Sequence, residues 1–173
     1  DEAASRIYRE MEKDSHLAGE ISKMGLFAAI IHNWDRHGSN YLWRPDGRLA
    51  AFDNNVSFHH GGVHGILLGP ATEFHGPLRV PSEVAGRIQD GSYAELLRAF
   101  GPYLPPARAA ETYARQRVAA HLLHESRGDG LPVKALEEIW RTTAAHPLFD
   151  AVVPRSAAER DALQRDRERS AWP

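Results

Sequence analysis

The dipeptide Asp46-Gly47, set between the runs 41–44 and 48–52, constrains this chain more than any other feature. Glycine tolerates the positive φ that a tight hairpin needs, so the two runs are expected to pair as antiparallel strands. Pairing would bring Asn40, just before one run, beside Asp53, just after the other. Asp35 stands five residues ahead of Asn40, so three oxygen-bearing side chains can line one mouth. A set of that kind suits a hard cation, and Mg²⁺ held together with substrate phosphates is the usual case.

The surroundings of the hairpin read as helical. Residues 3–13 place Ile7 and Met11 four apart among charges, the spacing of an amphipathic helix. Leu17, Ile21, Met24, Phe27 or Ala28, and Ile31 share one stripe, which predicts a helix from about Leu17 to Ile31. Its last turns, Leu26 to Ile31, are apolar on nearly all sides and are expected to be buried. That helix would deliver the chain directly into Asn33-Trp34-Asp35, with His32 at its end binding a carbonyl or favouring the helix dipole. Beyond Pro81, Ser82 is expected to cap a helix over 83–89, stopped by Asp90-Gly91. Ser92-Tyr93-Ala94-Glu95 is a capping-box pattern opening a helix to Phe100. Pro105-Pro106 starts a long helix through about Ser126, with Tyr113, Val118, Leu122 and Leu123 as core candidates. Leu136, Ile139 and Trp140 mark another over roughly 133–144, and Ser156 to Glu159 opens a charged terminal helix.

Asp35-Arg36-His37 followed by Asn40, and Phe52-Asp53 after a hairpin, resemble the catalytic and metal-binding segments of the phosphatidylinositol 3/4-kinase-like superfamily. That superfamily includes lipid kinases, actin-fragmin-type kinases and HipA-like toxin kinases. The resemblance runs from Phe27 to Phe58. It implies that Asp35 orients or deprotonates the acceptor, that Asn40 and Asp53 bind Mg²⁺ (or Mn²⁺) on the phosphates of ATP, and that His37 braces the loop. The expected fold is then mainly α with one short β-hairpin, like the C-terminal lobe of a kinase-like enzyme. The segments are 34–58 (catalytic loop, hairpin and metal Asp), 59–80 (a His, Gly and Pro-rich loop) and 81–173 (a helical subdomain) in one domain. No Gly-rich phosphate loop precedes Asp35, so the nucleotide-covering lobe is expected to be missing, or supplied by another chain. The implied reaction is phosphoryl transfer to a hydroxyl of a protein or small molecule, in which the protein chiefly positions groups and neutralises charge.

A second reading rests on His59, His60, His64 and His75, a cluster that could hold a transition metal and support chemistry without ATP on a repurposed kinase fold. Gly61-Gly62 argue against the helix that His60 and His64 would need to share a face, which favours loop histidines. A third reading is a non-catalytic binding module, against which the three oxygen-bearing residues count.

Composition narrows the classes. With 173 residues, 42% apolar and 25% charged, the chain is expected to be one soluble domain with a core of useful size. A net charge of −2 gives no electrostatic reason to expect nucleic acid. Without cysteine there is no disulfide, thiolate metal site or Cys nucleophile, and a cytoplasmic setting is the expectation. No apolar run approaches the ~20 residues that span a bilayer. Trp140 reads as core, Trp34 and Trp43 as wedges beside the motif, and Trp172 as a tail residue.

Overall fold

The fold is a computed structural model that describes Arg9, residues 13–33, 40–52, 57–58, 77–126 and 130–142, and Arg165. Its elements are helix α1 (Ser15–Ile30), strands β1 (Tyr41–Trp43) and β2 (Leu49–Ala51), and helices α2 (Ser82–Asp90), α3 (Tyr93–Phe100), α4 (Pro106–Glu125) and α5 (Lys134–Arg141). The described part is therefore mainly helical with one two-stranded sheet, as the sequence predicts. Arg9, Lys13 and Arg165 are helical; the rest of the two predicted terminal helices lies outside the described residues.

Helix α1 starts two residues earlier than its apolar stripe suggests. Asp14 is the reason: its carboxylate accepts from the backbone N–H of His16 at 2.9 Å and of Leu17 at 3.2 Å, satisfying two of the donors a helix start leaves open. The helix is buried around most of its circumference and packs on α4 and α5. Ile21, Leu26, Val118, Leu136 and Ile139 form the centre of the core, and Trp140 joins it as expected. Of the two alternatives in the predicted stripe, Phe27 or Ala28, it is Ala28 that is buried, while Phe27 is 42% exposed.

Helix α4 organises the rest. Three consecutive residues on it reach the ends of neighbouring helices. Arg115 donates from Nε to the carbonyl of Ile30 at 2.9 Å and from Nη1 to the carbonyl of Thr142 at 3.2 Å, the ends of α1 and α5. Gln116 donates to Ile88 at 3.2 Å and Arg117 to Gln89 at 2.7 Å, both in the last turn of α2. The last carbonyls of a helix have no partner within it, and a cation beside them also meets the negative end of the dipole. One helix thus closes the ends of three others.

The capping box at Ser92 forms as predicted, with the Glu95 N–H donating to the Ser92 hydroxyl at 3.2 Å and the Ser92 N–H to the Glu95 carboxylate at 2.8 Å. Ser82 does not cap α2. Pro81 occupies the N-cap position and Ser82 is the first helical residue, because proline fixes the extended-to-helix junction one residue earlier. α5 also ends sooner than predicted, at Arg141, with Thr142 turning extended. Leu78 and Leu131 pair in a single antiparallel bridge that ties the segment before α2 to the one before α5.

Candidate functional site

The hairpin is fastened to the first turns of α1 at two points. At its tip, the ring N–H of His16 donates from Nε2 to the carbonyl of Gly47 at 2.8 Å. Midway, the Leu49 N–H donates to the Glu20 carboxylate at 3.0 Å, and Lys23 donates to the same carboxylate at 2.6 Å. Burial pushes the Glu20 carboxyl up, but the hydrogen bonds from Lys23 and Leu49 and the charges of Lys23 and His16 outweigh it, leaving it below the usual carboxylate range. Beyond the hairpin, the Phe58 N–H donates to the carbonyl of Ile31, the residue that caps the end of α1, at 2.7 Å.

The turn itself is a three-residue loop. Gly47 N–H donates to Arg44 at 3.0 Å and Arg44 N–H to Arg48 at 2.9 Å, with Gly47 at φ +77°. A turn followed by a left-handed glycine is a favoured three-residue hairpin closure. The Asp46 carboxylate accepts from Arg48 N–H at 3.2 Å and locks the turn further. Register follows: Tyr41 pairs with Ala51, Leu42 with Ala50 and Trp43 with Leu49. The backbone pairing extends one step past the strands, where Phe52 N–H donates to the carbonyl of Asn40 at 3.1 Å.

That last bond fixes which residues face each other at the open end of the hairpin. Asn40 is 5% exposed and directly opposite Phe52, the residue before Asp53. Asn33, the last described residue before Asp35, is fully buried and donates its N–H to Ala28 at 2.9 Å. Next to it His32 adopts φ +56° and stacks on Trp140 of α5 at 4.1 Å. The Phe58 ring meets Phe100 of α3 at 5.7 Å. Of the predicted site residues, Asn40 lies across from Phe52 at the open end of the hairpin. Asp35, His37 and Asp53 lie outside the described residues, as do His59, His60, His64 and His75. Among the described residues no three His, Asp or Glu side chains come together to hold a metal, and no helix is long and apolar enough to cross a membrane.

Arg115 has no counterpart among the residues the sequence singles out. It is 1% exposed, and burial pushes its pKa down to about 10, with Glu111 opposing and Arg108 adding to the shift. Its signal in the sequence is slight: it sits three residues before Val118 and four before Ala119, on the face those small apolar residues bury.

A cleft of about 870 Å³ opens elsewhere, between the start of α1, residues 77–81, α2, the end of α4 and Leu131. It has Leu78, Val80, Leu123 and Leu131 in its walls and His16, Glu20 and Arg79 among its polar groups. It flanks the opening turns of α1.

Comparison with protein-family models, with curated proteins and with solved structures finds no match to this chain.

Proposed function

We propose that this chain is the catalytic lobe of a phosphotransferase resembling the phosphatidylinositol 3/4-kinase-like superfamily, passing a phosphoryl group from ATP to a hydroxyl of a protein or small molecule. The observation that carries the reading is the hydrogen bond from Phe52 to Asn40, which puts the residue preceding Asp53 opposite Asn40 at the open end of a short hairpin. The donor set Asp35, Asn40 and Asp53 is all oxygen, which fits Mg²⁺ or Mn²⁺ better than a softer metal. The cation would neutralise charge on the phosphates. Asn40 and Asp53 hold it, Asp35 orients or deprotonates the acceptor hydroxyl, and His37 braces the loop between.

The outer face of the hairpin supports a second layer above it. Leu42 is 58% exposed and Phe52 is 41% exposed, two apolar side chains beside the mouth. A nucleotide-covering lobe, on a separate segment or chain, would bury them and exclude water from the phosphates. Electrostatic stabilisation of transferring phosphate weakens where water enters. This chain alone is therefore expected to bind ATP more weakly than the low micromolar range.

Calorimetric titration with Mg²⁺, Mn²⁺ and Zn²⁺, each with and without ATP, tests the reading. Binding of Mg²⁺ or Mn²⁺ that strengthens when ATP is present is the expected result. Tight Zn²⁺ binding indifferent to ATP would contradict it and move the chemistry to His59, His60, His64 and His75.

A further inference from the structure

Two residues single out the cleft between the start of α1, residues 77–81 and α2. Gly86 lies in the middle of α2 and lines the cleft, and a Cβ built on it meets no atom within 4 Å. Glycine inside a helix costs about 1 kcal/mol relative to alanine, and packing gives no reason for it here. Arg79 is the other. Its segment is fixed at consecutive residues: Leu78 and Leu131 exchange backbone bonds at 2.7 and 2.9 Å, and the Arg79 N–H donates to the Ser22 hydroxyl at 2.9 Å. The Arg79 side chain is exposed and has no ion pair or hydrogen bond of its own among the described residues. The other charged or titratable groups in the wall are engaged elsewhere, Glu20 with Lys23 and Leu49 and His16 with Gly47.

We propose that this cleft binds a small organic acid, its apolar body against Val80, Pro81 and Leu123 and its carboxylate on Arg79. The volume of about 870 Å³ suits a small molecule, since such sites occupy roughly 300–1,000 Å³. They combine mainly apolar walls with a few polar groups that fix orientation. Val80, Pro81 and Leu123 are only half-buried and so keep apolar surface for a ligand to cover. The Arg79 guanidinium is a planar fork whose N–H groups match the two oxygens of a carboxylate. One uncompensated cation answers one negative charge. An amine would meet a like charge there, and a neutral molecule would leave the guanidinium unanswered. None of Asp35, Asn40 and Asp53 is among the described residues of the wall, so the proposal does not depend on the reading of the mouth.

Titration of the full chain with octanoate, octylammonium and octanol, followed through amide NMR shifts, tests this. The expected result is saturable octanoate shifts at Gly19, Arg79, Gly86 and Leu131, with octylammonium and octanol binding about fivefold more weakly or less. Arg79→Gln is expected to weaken octanoate about fivefold and to leave octanol unchanged. Gly86→Leu puts a better helix former into open space and is expected to weaken octanoate and octanol alike, by about tenfold. Arg79→Gln removes no side-chain contact among the described residues, so it decides the matter if Gly86→Leu does not fold. A wild-type chain without saturable octanoate shifts overturns the proposal, as does one that binds octanol or octylammonium as tightly as octanoate. So does a folded Arg79→Gln or Gly86→Leu chain with wild-type affinity for octanoate.

Discussion

Gly130 holds φ at +90°, in the region that side chains other than hydrogen rarely enter. A Cβ added there would lie 2.8 Å from Cβ of Pro77 and 3.0 Å from the carbonyl of Leu78, atoms of backbone and ring with little room to yield. The residue next to it, Leu131, is the one that bridges to Leu78. Gly130→Ala is therefore expected to cost about 1–3 kcal/mol from backbone strain, with crowding on top. Urea denaturation would read this as a lower midpoint at unchanged slope, and a midpoint equal to wild type would refute it. The sequence shows Asp129-Gly130 as a turn, but not the close approach of Pro77, a residue far back in the chain. Arg115 is hidden for the same reason. Nothing within a few residues of it announces that two helix ends will converge on its guanidinium.

At the scale of elements, the signals that hold are those decided locally. Ser92 and Glu95 form their capping box because both partners lie within one turn, and Asp46-Gly47 closes its hairpin because glycine permits the left-handed angle. Ser82 fails as a cap because its competitor is the adjacent Pro81, and the choice between Phe27 and Ala28 falls to Ala28 because it depends on what packs across α1. The union of hairpin and helix is tertiary, and Glu20 is its central fastener. Its carboxyl lies below the usual range in the fold. A depressed pKa gives stability that is present above the unfolded-state value, about 4.3 for Glu, and is lost as pH falls through the lower folded value. The melting temperature of the wild-type chain should thus fall between about pH 5 and pH 3 more steeply than that of Glu20→Gln, which keeps an acceptor for Leu49 but cannot titrate. Superimposable pH profiles would show that Glu20 does not carry this linkage.

Among the described residues α1 is held in a frame of α4 and α5, with the hairpin fastened to its first turns at His16 and Glu20. Of the candidate site, the pairing around Asn40 is legible in the amino-acid sequence, while Asp35, His37 and Asp53 lie outside the described residues. Turn chemistry at Asp46-Gly47 places Asn40 opposite the residue before Asp53, and the backbone bond between Asn40 and Phe52 agrees. The frame is not legible there, since it is built from contacts between residues far apart in the chain: Arg115 with Ile30, Trp140 with His32, Phe58 with Ile31 and Phe100. The central claim is that Asp35, Asn40 and Asp53 serve a cation. Calorimetric titration of Mn²⁺ into Asp53→Ala and wild-type chains, matched for folding by circular dichroism, tests it most directly. Binding present in the wild type and abolished in Asp53→Ala, with the fold intact, is the predicted result; equal Mn²⁺ affinity in the two chains would contradict the account.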